Sequence, residues 1–424
     1  MNRYGKICAL TALMGFSNYA IAASFQIQEQ NAKDLGTAYA GAGSLGEDAS
    51  TNFYNPAALT EVTGYNAVLS AVALKAKFEL NVTTSTDVLG NPVPSVPGTV
   101  KSSDTPVIPG LHMSSQYSDD ITFGFSVVSP FGLKTDYPSD SIVRYAATKS
   151  KLQTINLTPS VAYKVNNELS VGLGLDFMQS KVWLDSIAGL VGNPAGTTDV
   201  PVSIYGKDNT FSFHTGVFYK LSDRTQMGLT YHHQHSLHVK GDISVPTNGL
   251  LAGQAASSQA KANTRLPASL RYSVTHKYDD KWTMVGDLQW TKWSVLEQMV
   301  ISYNLNTGAG ATKALRFDYK NAWRAALGTH YKYDEVWTFK GGLAYDKSPV
   351  SSQQKSVRTP DADRWWLALG AKYKINEAFT VDAGYSHLFF KNPGIIDIDG
   401  ARRVVGTAKA SANLLGVQLT WNLV

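Results

Sequence analysis

From Gly64 to the C-terminus, apolar residues alternate with small or polar ones. This period of two limits the possible folds more than any other feature of the sequence. In one such run, Ile121, Phe123, Phe125 and Val127 alternate with Thr122, Gly124 and Ser126. Successive side chains of a β-strand point to opposite faces, so each run predicts a strand with one apolar face. Fourteen runs of this kind can be read along the sequence. They predict an all-β region that extends over residues 64–424.

The connections between these strands alternate in length. Tight polar turns, such as Ser118-Asp119-Asp120 and Asn166-Asn167-Glu168, alternate with seven long loops rich in Gly, Pro and Ser. An even number of strands with short turns at one end and long loops at the other is typical of bacterial outer-membrane barrels. Aromatic residues near the short turns, such as Tyr163, Trp282 and Trp337, suit a membrane interface. We therefore expect a 14-stranded antiparallel transmembrane β-barrel with its short turns in the periplasm.

The first 22 residues have the order of a secretory signal. Arg3 and Lys6 precede an apolar run from Ile7 to Phe16, and small residues end the segment at Ala22. This run is too short to cross a bilayer as a helix. Cys8 is the only cysteine and would leave with the signal peptide, so the mature chain would have no disulfide and no thiolate metal ligand. Export to the cell outer membrane follows from the signal and the predicted barrel together.

Composition excludes several classes of function. Only 17% of residues are charged, both signs are mixed along the chain, and no basic run indicates a nucleic-acid partner. No Gly-x-Ser-x-Gly elbow supports a hydrolase, so we do not expect an enzyme, and no motif calls for a cofactor. Four histidines fall close together, but strand geometry puts only His233 and His235 on one face. We expect no metal site there.

Residues 23–63 do not alternate like a strand. Small residues dominate this segment, which has few large apolar side chains with which to build its own core. We expect it to form a small, partly helical plug, or hatch, inside the barrel. Asn55-Pro56-Ala57 should make a turn there, because proline fixes its own φ and keeps the preceding residue out of the helical region. This turn could serve as a gating hinge or only as a structural turn.

Several motifs along the mature chain carry a family resemblance. They include Ser24-Phe25-Gln26, Asn55-Pro56-Ala57, Pro130-Phe131-Gly132-Leu133-Lys134, Trp290-Thr291-Lys292-Trp293-Ser294, Tyr319-Lys320-Asn321-Ala322-Trp323-Arg324 and Pro360-Asp361-Ala362-Asp363-Arg364-Trp365-Trp366. In their order they resemble the long-chain fatty-acid transporter (FadL-type) family, which includes channels for toluene-like hydrocarbons. The resemblance implies passive uptake: the substrate binds in an apolar pocket, the hatch rearranges, and release is lateral through the barrel wall. Uptake of monoaromatic or other small hydrophobic compounds is the alternative.

The resemblance and the strand pattern together suggest ligand-binding residues. Phe25 matches an N-terminal aromatic near the family's ligand pocket. A fatty-acid carboxylate needs a cation in the lumen. Lys320 and Arg324 alternate with Trp323 and Leu327, which predicts that they face inward, and Lys181 lies near the outer end of the fifth strand. The alternative for each of these cations, taken alone, is a solvated lumen charge.

Other residues are candidates for the route of the substrate. Pro130 and Gly132 could interrupt the third strand and open a lateral gap, since proline cannot donate to the strand ladder; alternatively, the strand simply ends there. Phe131, Tyr137 and Tyr145 are loop aromatics that could line an outer capture groove. The expected partners are fatty acids or other hydrophobic molecules, outer-membrane lipids with lipopolysaccharide, and the barrel-assembly machinery. We expect a monomer.

Overall fold

The computed structural model describes residues 24–93, 98–189, 199–244, 258–304, 310–351, 355–392 and 394–423. The predicted signal peptide, residues 1–22, lies outside the described residues. Among the described residues, no helix is both long and apolar enough to cross a membrane.

The chain forms one closed antiparallel barrel. Each barrel strand pairs with its neighbour in sequence, and the last pairs with the first from Tyr65 opposite Leu423 to Ser85 opposite Val404. Seven barrel strands are continuous and seven consist of two consecutive segments, which confirms the predicted 14-stranded architecture. The segments are β1 (Tyr65–Ser85), β2 (Thr99–Asp104), β3 (Val107–Gln116), β4 (Ile121–Val128), β5 (Gly132–Asp136), β6 (Lys149–Lys164), β7 (Leu169–Ala188), β8 (Val200–Ser222), β9 (Thr225–His232), β10 (His235–Ser244), β11 (Ser258–Leu266), β12 (Ser269–Lys277), β13 (Trp282–Thr291), β14 (Gln298–Asn304), β15 (Gly310–Arg316), β16 (Ala322–Lys332), β17 (Trp337–Asp346), β18 (Arg364–Lys374), β19 (Phe379–Phe390), β20 (Gly394–Asp399) and β21 (Arg402–Leu423).

The two faces of the wall differ as the alternation predicts. Outward positions carry large exposed apolar side chains, such as Phe123, Leu173 and Phe211. Inward positions on the same strands carry buried small or polar residues, such as Ser126 and Asp176. The wall therefore presents an apolar exterior, while its inner face carries small or polar residues at these positions.

The segment before β1 fills part of the lumen. It contains the short helix α1 (Thr51–Tyr54) and the 3-10 helices Asp34–Thr37 and Pro56–Glu61. Asp34–Thr37 packs against β16 to β19, whereas Pro56–Glu61 packs against β4, β6, β7 and β8. The plug is thus anchored on two separate parts of the wall.

The last strand also holds the plug. The side-chain oxygen of Gln418, on β21, accepts the backbone N–H groups of Ala32 and Lys33 at 3.2 Å each. Its amide nitrogen donates to Asp48 Oδ2 at 2.8 Å. One glutamine of the final strand therefore joins two separate stretches of the plug.

The third barrel strand is interrupted between β4 and β5. Pairing between β3 and β4 ends at Leu111 opposite Val127. Beyond that point, within the described ranges, β2 pairs only with β1 and β5 only with β6. Two side-chain contacts bridge the opening: Lys134 Nζ lies 2.9 Å from Asp104 Oδ2, and Ser102 Oγ accepts the N–H of Asp136 at 3.2 Å.

Candidate functional site

The start of the plug pairs with the break in the third strand. Ile27 N–H donates to Pro130 O, and Gly132 N–H donates to Phe25 O, both at 2.8 Å. The Gln30 side chain completes the junction, since it donates to Ser129 O at 2.9 Å and accepts Ser129 N–H at 2.8 Å. On the side that faces β2 and β3, the residues of the break therefore bond to the plug, whereas Ser129 and Phe131 still bond to Thr154 of β6 on the other side.

Phe25 lies at the base of an apolar pocket above this junction. Its ring meets Trp293 edge to face, with centroids 4.7 Å apart. The pocket has a volume of about 600 Å³, including the part open to solvent, which is in the range of small-molecule sites. The atoms that face the cavity are almost all apolar, although some of the lining residues carry polar or charged groups. The lining residues are Phe25, Leu133, Ser150, Lys151, Leu152, Val182, Leu184, Leu237, Thr264, Leu266, Leu296, Met299, Phe317, Arg358 and Thr359.

Arg358 supplies a buried positive charge at this pocket. Its guanidinium donates to Lys149 O at 3.0 Å, Ser150 Oγ at 2.9 Å and Ala146 O at 2.8 Å. Among the described residues it makes no ion pair within 4 Å. Burial lowers the pKa of Arg358 to about 10, so the group still carries its charge at neutral pH. A buried cation bonded only to neutral groups favours the approach of an anion.

A second cleft on the extracellular side shares Arg358 and Phe317 with the apolar pocket. Six of its thirteen lining residues are charged, and Tyr145 also lines it: the charged residues are Lys313, Arg316, Arg358, Arg402, Asp397 and Asp399. Arg402 donates to Asp397 Oδ1 at 3.0 Å, while its buried Nη1 has no hydrogen-bond partner among the described residues. The two cavities adjoin at Arg358, so a polar head group and an apolar tail could lie on its two sides.

The predicted lumen cations lie elsewhere. Lys181 shares the outward face of β7 with Phe177, and Lys320 is exposed ahead of β16, so neither faces inward as expected. Arg324 does face inward, but it lies beneath the plug, where it donates to Ala38 O at 2.5 Å and covers the ring of Trp366. Of the predicted ligand residues, only Phe25 lines the apolar pocket.

The predicted capture-groove aromatics are buried. Tyr137 donates to Val357 O at 2.8 Å, and Tyr145 donates to Asp199 Oδ1 at 2.7 Å. Phe131 packs near Phe25, with centroids 6.5 Å apart. These side chains support the loops and the plug junction, and they do not form an exposed apolar surface.

The Asn55-Pro56-Ala57 turn is fastened to the wall. Asn55 Nδ2 donates to Gly43 O at 2.8 Å and Val217 O at 3.1 Å, and Oδ1 accepts Ala57 N–H at 3.1 Å. Wall glycines allow this approach: a Cβ on Gly172 would lie 2.4 Å from Ala57 N, and one on Gly216 would lie 2.0 Å from Asn55 Oδ1. The sequence analysis did not predict that these glycines admit the turn, although their inward positions on the strands could have indicated it.

Two histidines hold the end of α1 from the same side. His214 lies 3.2 Å from Asn52 O through Nε2 and 3.0 Å from Asp176 Oδ2 through Nδ1. His232 stacks on His214 and bonds to Phe53 O at 3.0 Å. Candidate metal-ligand atoms of Asp176, His214 and His232 lie within 4.8 Å of one another, but the Nε2 atoms of both rings already bond to plug carbonyls. The cluster is a plug anchor that brings together residues of β7, β8 and β9.

Known proteins resemble the chain over nearly its whole length. A family model described as outer membrane protein transport protein (OMPP1/FadL/TodX) matches residues 13–423. A long-chain fatty acid transport protein from Escherichia coli O6:H1 is 28% identical over 448 residues, which cover 99% of this chain and 98% of that protein.

Solved structures resemble it as well. A Pseudomonas aeruginosa FadL homologue has a TM-score of 0.86 at 24% identity, with 94% of this chain and 99% of that chain covered. The Pseudomonas putida toluene transporter TodX has a TM-score of 0.72 at 18% identity, with 93% and 98% covered. At these identities the structures are similar in fold.

Proposed function

Since the chain belongs to the outer membrane protein transport protein family (OMPP1/FadL/TodX), we propose that it takes up long-chain fatty acids and binds them in the apolar pocket at Phe25. At the coarser level, the protein is an outer-membrane transporter of hydrophobic compounds and not an enzyme. The finer assignment depends on one observation: Arg358, a buried arginine that makes no ion pair within 4 Å among the described residues, lies where the apolar pocket meets the charged cleft.

The pocket and the arginine complement the two ends of a fatty acid. Each methylene that leaves water contributes about 0.8 kcal/mol, so a long acyl chain gains much from an apolar lining. The carboxylate would gain a charge-assisted hydrogen bond from Arg358, worth roughly 1.5–3 kcal/mol. A monoaromatic hydrocarbon would gain only the first contribution. The arginine therefore favours an acid over a neutral hydrocarbon.

Release would follow the junction below Phe25. The N-terminal segment, the break at Pro130 and the opening between β2 and β5 are contiguous, so movement of residues 25–27 would connect the pocket to the wall. Gly132 takes part because its N–H bonds to Phe25 O. In this proposal, Asn55-Pro56-Ala57 stays attached to the wall while the N-terminal segment moves. Passive diffusion down a gradient is sufficient to drive uptake.

The test compares a labelled long-chain fatty acid with its methyl ester on the detergent-purified barrel and on Arg358→Gln. We expect the wild type to prefer the acid, and the variant to bind the acid roughly 10- to 100-fold more weakly while its affinity for the ester changes little. Arg403→Gln, an equal charge change on the outward face, is the matched control. Arg358→Lys retains the charge and reports on folding.

Two results would contradict the fatty-acid assignment. One is equal affinity of the wild type for the acid and the ester. The other is displacement of both by toluene, with no effect of Arg358→Gln, which would favour the monoaromatic alternative. Loss of acid and ester binding together in a correctly folded variant would show that Arg358 shapes the pocket without recognising the head group.

A further inference from the structure

Four lysines on consecutive barrel strands lie directly opposite one another on the outer surface. Lys181 on β7 pairs with Lys207 on β8, which pairs with Lys240 on β10, which pairs with Lys261 on β11. We call these residues the lysine row. Neighbouring strands are about 4.8 Å apart, so the row is roughly 14 Å long.

The lysine row faces away from the lumen. On β10 and β11, Lys240 and Lys261 alternate with Val239, Ala260 and Ala262, which are buried beside the apolar pocket. On β7 and β8, Lys181 and Lys207 share the face of the exposed rings of Phe177 and Phe211. These charges are therefore on the side of the wall that meets the membrane and the solvent above it.

The row lies just beyond the lipid-facing band. Phe177 and Phe211, whose rings are 5.1 Å apart, end the apolar stretches of β7 and β8 on the side of the long loops. Gln179 and Asn209 come next and share a 3.4 Å hydrogen bond, and the lysines follow two residues later. The lysines are four residues beyond Phe177 and Phe211, and four residues of a strand tilted by about 40° rise roughly 10 Å along the membrane normal. This distance places the ammonium groups at the level of the lipid head groups.

Among the described residues, these charges have no ion-pair or side-chain hydrogen-bond partner. Of the neighbouring acids, Asp208 accepts the backbone N–H of His238 at 2.7 Å, and Asp242 lies two residues beyond Lys240. Like charges directly opposite each other destabilise a sheet. Four opposed lysines in succession therefore favour the binding of an external polyanion.

We propose that the lysine row binds the phosphate groups of lipopolysaccharide in the outer leaflet. A phosphorylated disaccharide head group fits the length of the row, and its acyl chains would lie along the adjoining apolar surface below Phe177 and Phe211. Ammonium–phosphate contacts are charge-assisted hydrogen bonds. The lysines would take the place of the divalent cations that otherwise neutralise neighbouring head groups. This inference depends on the outer-membrane location and is independent of the transported substrate.

The test uses the full-length barrel in detergent and bis-phosphorylated lipid A as the probe, with native mass spectrometry and thermal unfolding as readouts. The variant carries Lys181→Gln, Lys207→Gln, Lys240→Gln and Lys261→Gln. The control variant removes the same number of charges at the periplasmic end, at Lys277, Lys281, Lys332 and Lys374. The other three arms use dephosphorylated lipid A, phosphatidylglycerol and excess inorganic phosphate, and every arm contains a metal chelator.

We expect bis-phosphorylated lipid A to bind the wild type and the control variant, to raise their unfolding temperature, and to bind the lysine-row variant at least tenfold more weakly. Dephosphorylated lipid A should bind the wild type as weakly as bis-phosphorylated lipid A binds the lysine-row variant. Without lipid, the lysine-row variant should be at least as stable as the wild type, since its repulsion is relieved.

Equal binding to the wild type and the lysine-row variant would overturn the proposal, and so would equal binding of the two forms of lipid A. The same holds if inorganic phosphate alone reproduces the stabilisation or if phosphatidylglycerol binds as tightly as lipid A, because the site would then recognise any anion.

Discussion

At the scale of single residues, Glu29 is the least satisfied group of the plug. Its side chain is 1% exposed, and neither carboxylate oxygen has a hydrogen-bond partner among the described residues. Burial raises the pKa of Glu29 to about 7, and the nearby backbone N–H of Glu29, together with the charges of Arg364 and Arg324, offsets only part of that rise. A carboxyl group with a raised pKa binds its proton more tightly in the packed plug than in water.

The sign of the pH effect follows from this difference. Between pH 4.5 and about 7 the released plug binds fewer protons than the packed plug, so packing becomes weaker as pH rises through this window. The whole shift corresponds to about 3 kcal/mol. We predict that exchange of plug amides in residues 24–63 accelerates from pH 4.5 to 7.5 in the wild type, measured by hydrogen–deuterium exchange after correction for intrinsic rates.

Glu29→Gln should remove this pH dependence and slow plug exchange at neutral pH, because the amide carries no charge to desolvate. Glu335→Gln, an exposed glutamate of a periplasmic turn, is the matched control and should behave like the wild type. Exchange profiles of the wild type and Glu29→Gln that coincide across the window would refute the role given to Glu29.

The placement of cations was only partly predictable from sequence. Lys320 was expected to face inward because the alternation of β16 was extended backwards, but that strand begins at Ala322. Lys181 has the same parity as Phe177, so its outward direction was readable from the sequence. Arg358 lies in a loop without periodicity, where only its nearness to the Pro360–Trp366 motif could have drawn attention to it.

At the scale of elements, the plug and the wall fit together through glycines on the inner face. Gly172 and Gly216 allow the Asn55-Pro56-Ala57 turn to lie directly on β7 and β8. Polar side chains of the same strands then bond to the plug backbone, as His214 does to Asn52 O. The contact combines close packing with directional hydrogen bonds, which keeps this half of the plug in place.

We predict that Gly172→Ala forces this half of the plug away from the wall. The added methyl group would meet Ala57 N at 2.4 Å, and overpacking of this kind costs about 1–3 kcal/mol. Single-channel recording in planar bilayers should show more frequent ion-conducting openings than in the wild type. Gly341→Ala adds the same methyl group 3.9 Å from its nearest neighbour and should leave the recordings unchanged. Identical recordings for both variants would show that the turn does not seal the lumen.

The strand count was accessible from sequence because a lipid-facing strand must alternate over many residues. The interruptions were harder to predict. Seven barrel strands are broken into two segments, and in most of them apolar and polar residues keep alternating before and after the break. In the third strand, for example, β4 ends at Val128 and β5 begins at Gly132. The plug was predicted from its lack of alternation, but its contacts depend on residues far away in the sequence.

At the scale of the whole molecule, the apolar pocket, the plug junction and the wall opening form one continuous path. The proposed path begins at Arg358, passes Phe25 and ends between β2 and β5. Among the described residues, only the ion pair of Asp104 with Lys134 and one hydrogen bond cross the opening. A covalent link across the opening between β2 and β5 would block release of the substrate while leaving its binding in the pocket intact.

We predict that a short bis-maleimide link between Asp104→Cys and Lys134→Cys blocks uptake of fatty acid into proteoliposomes and leaves binding to the detergent-solubilised barrel within about twofold. The unlinked double variant should transport normally, and a link between Glu79→Cys and Lys101→Cys, a paired position of β1 and β2, controls for the reagent. Undiminished uptake through the linked barrel would exclude this opening as the exit.

The bond between Gln418 and the plug has a consequence for biogenesis. Gln418 is on β21, the strand that closes the wall against β1, so the plug can acquire these three bonds only when the final strand is present. The strand that seals the wall therefore also supplies the last bonds of the plug. A chain that stalls before its final strand has an open wall, and its plug lacks these bonds.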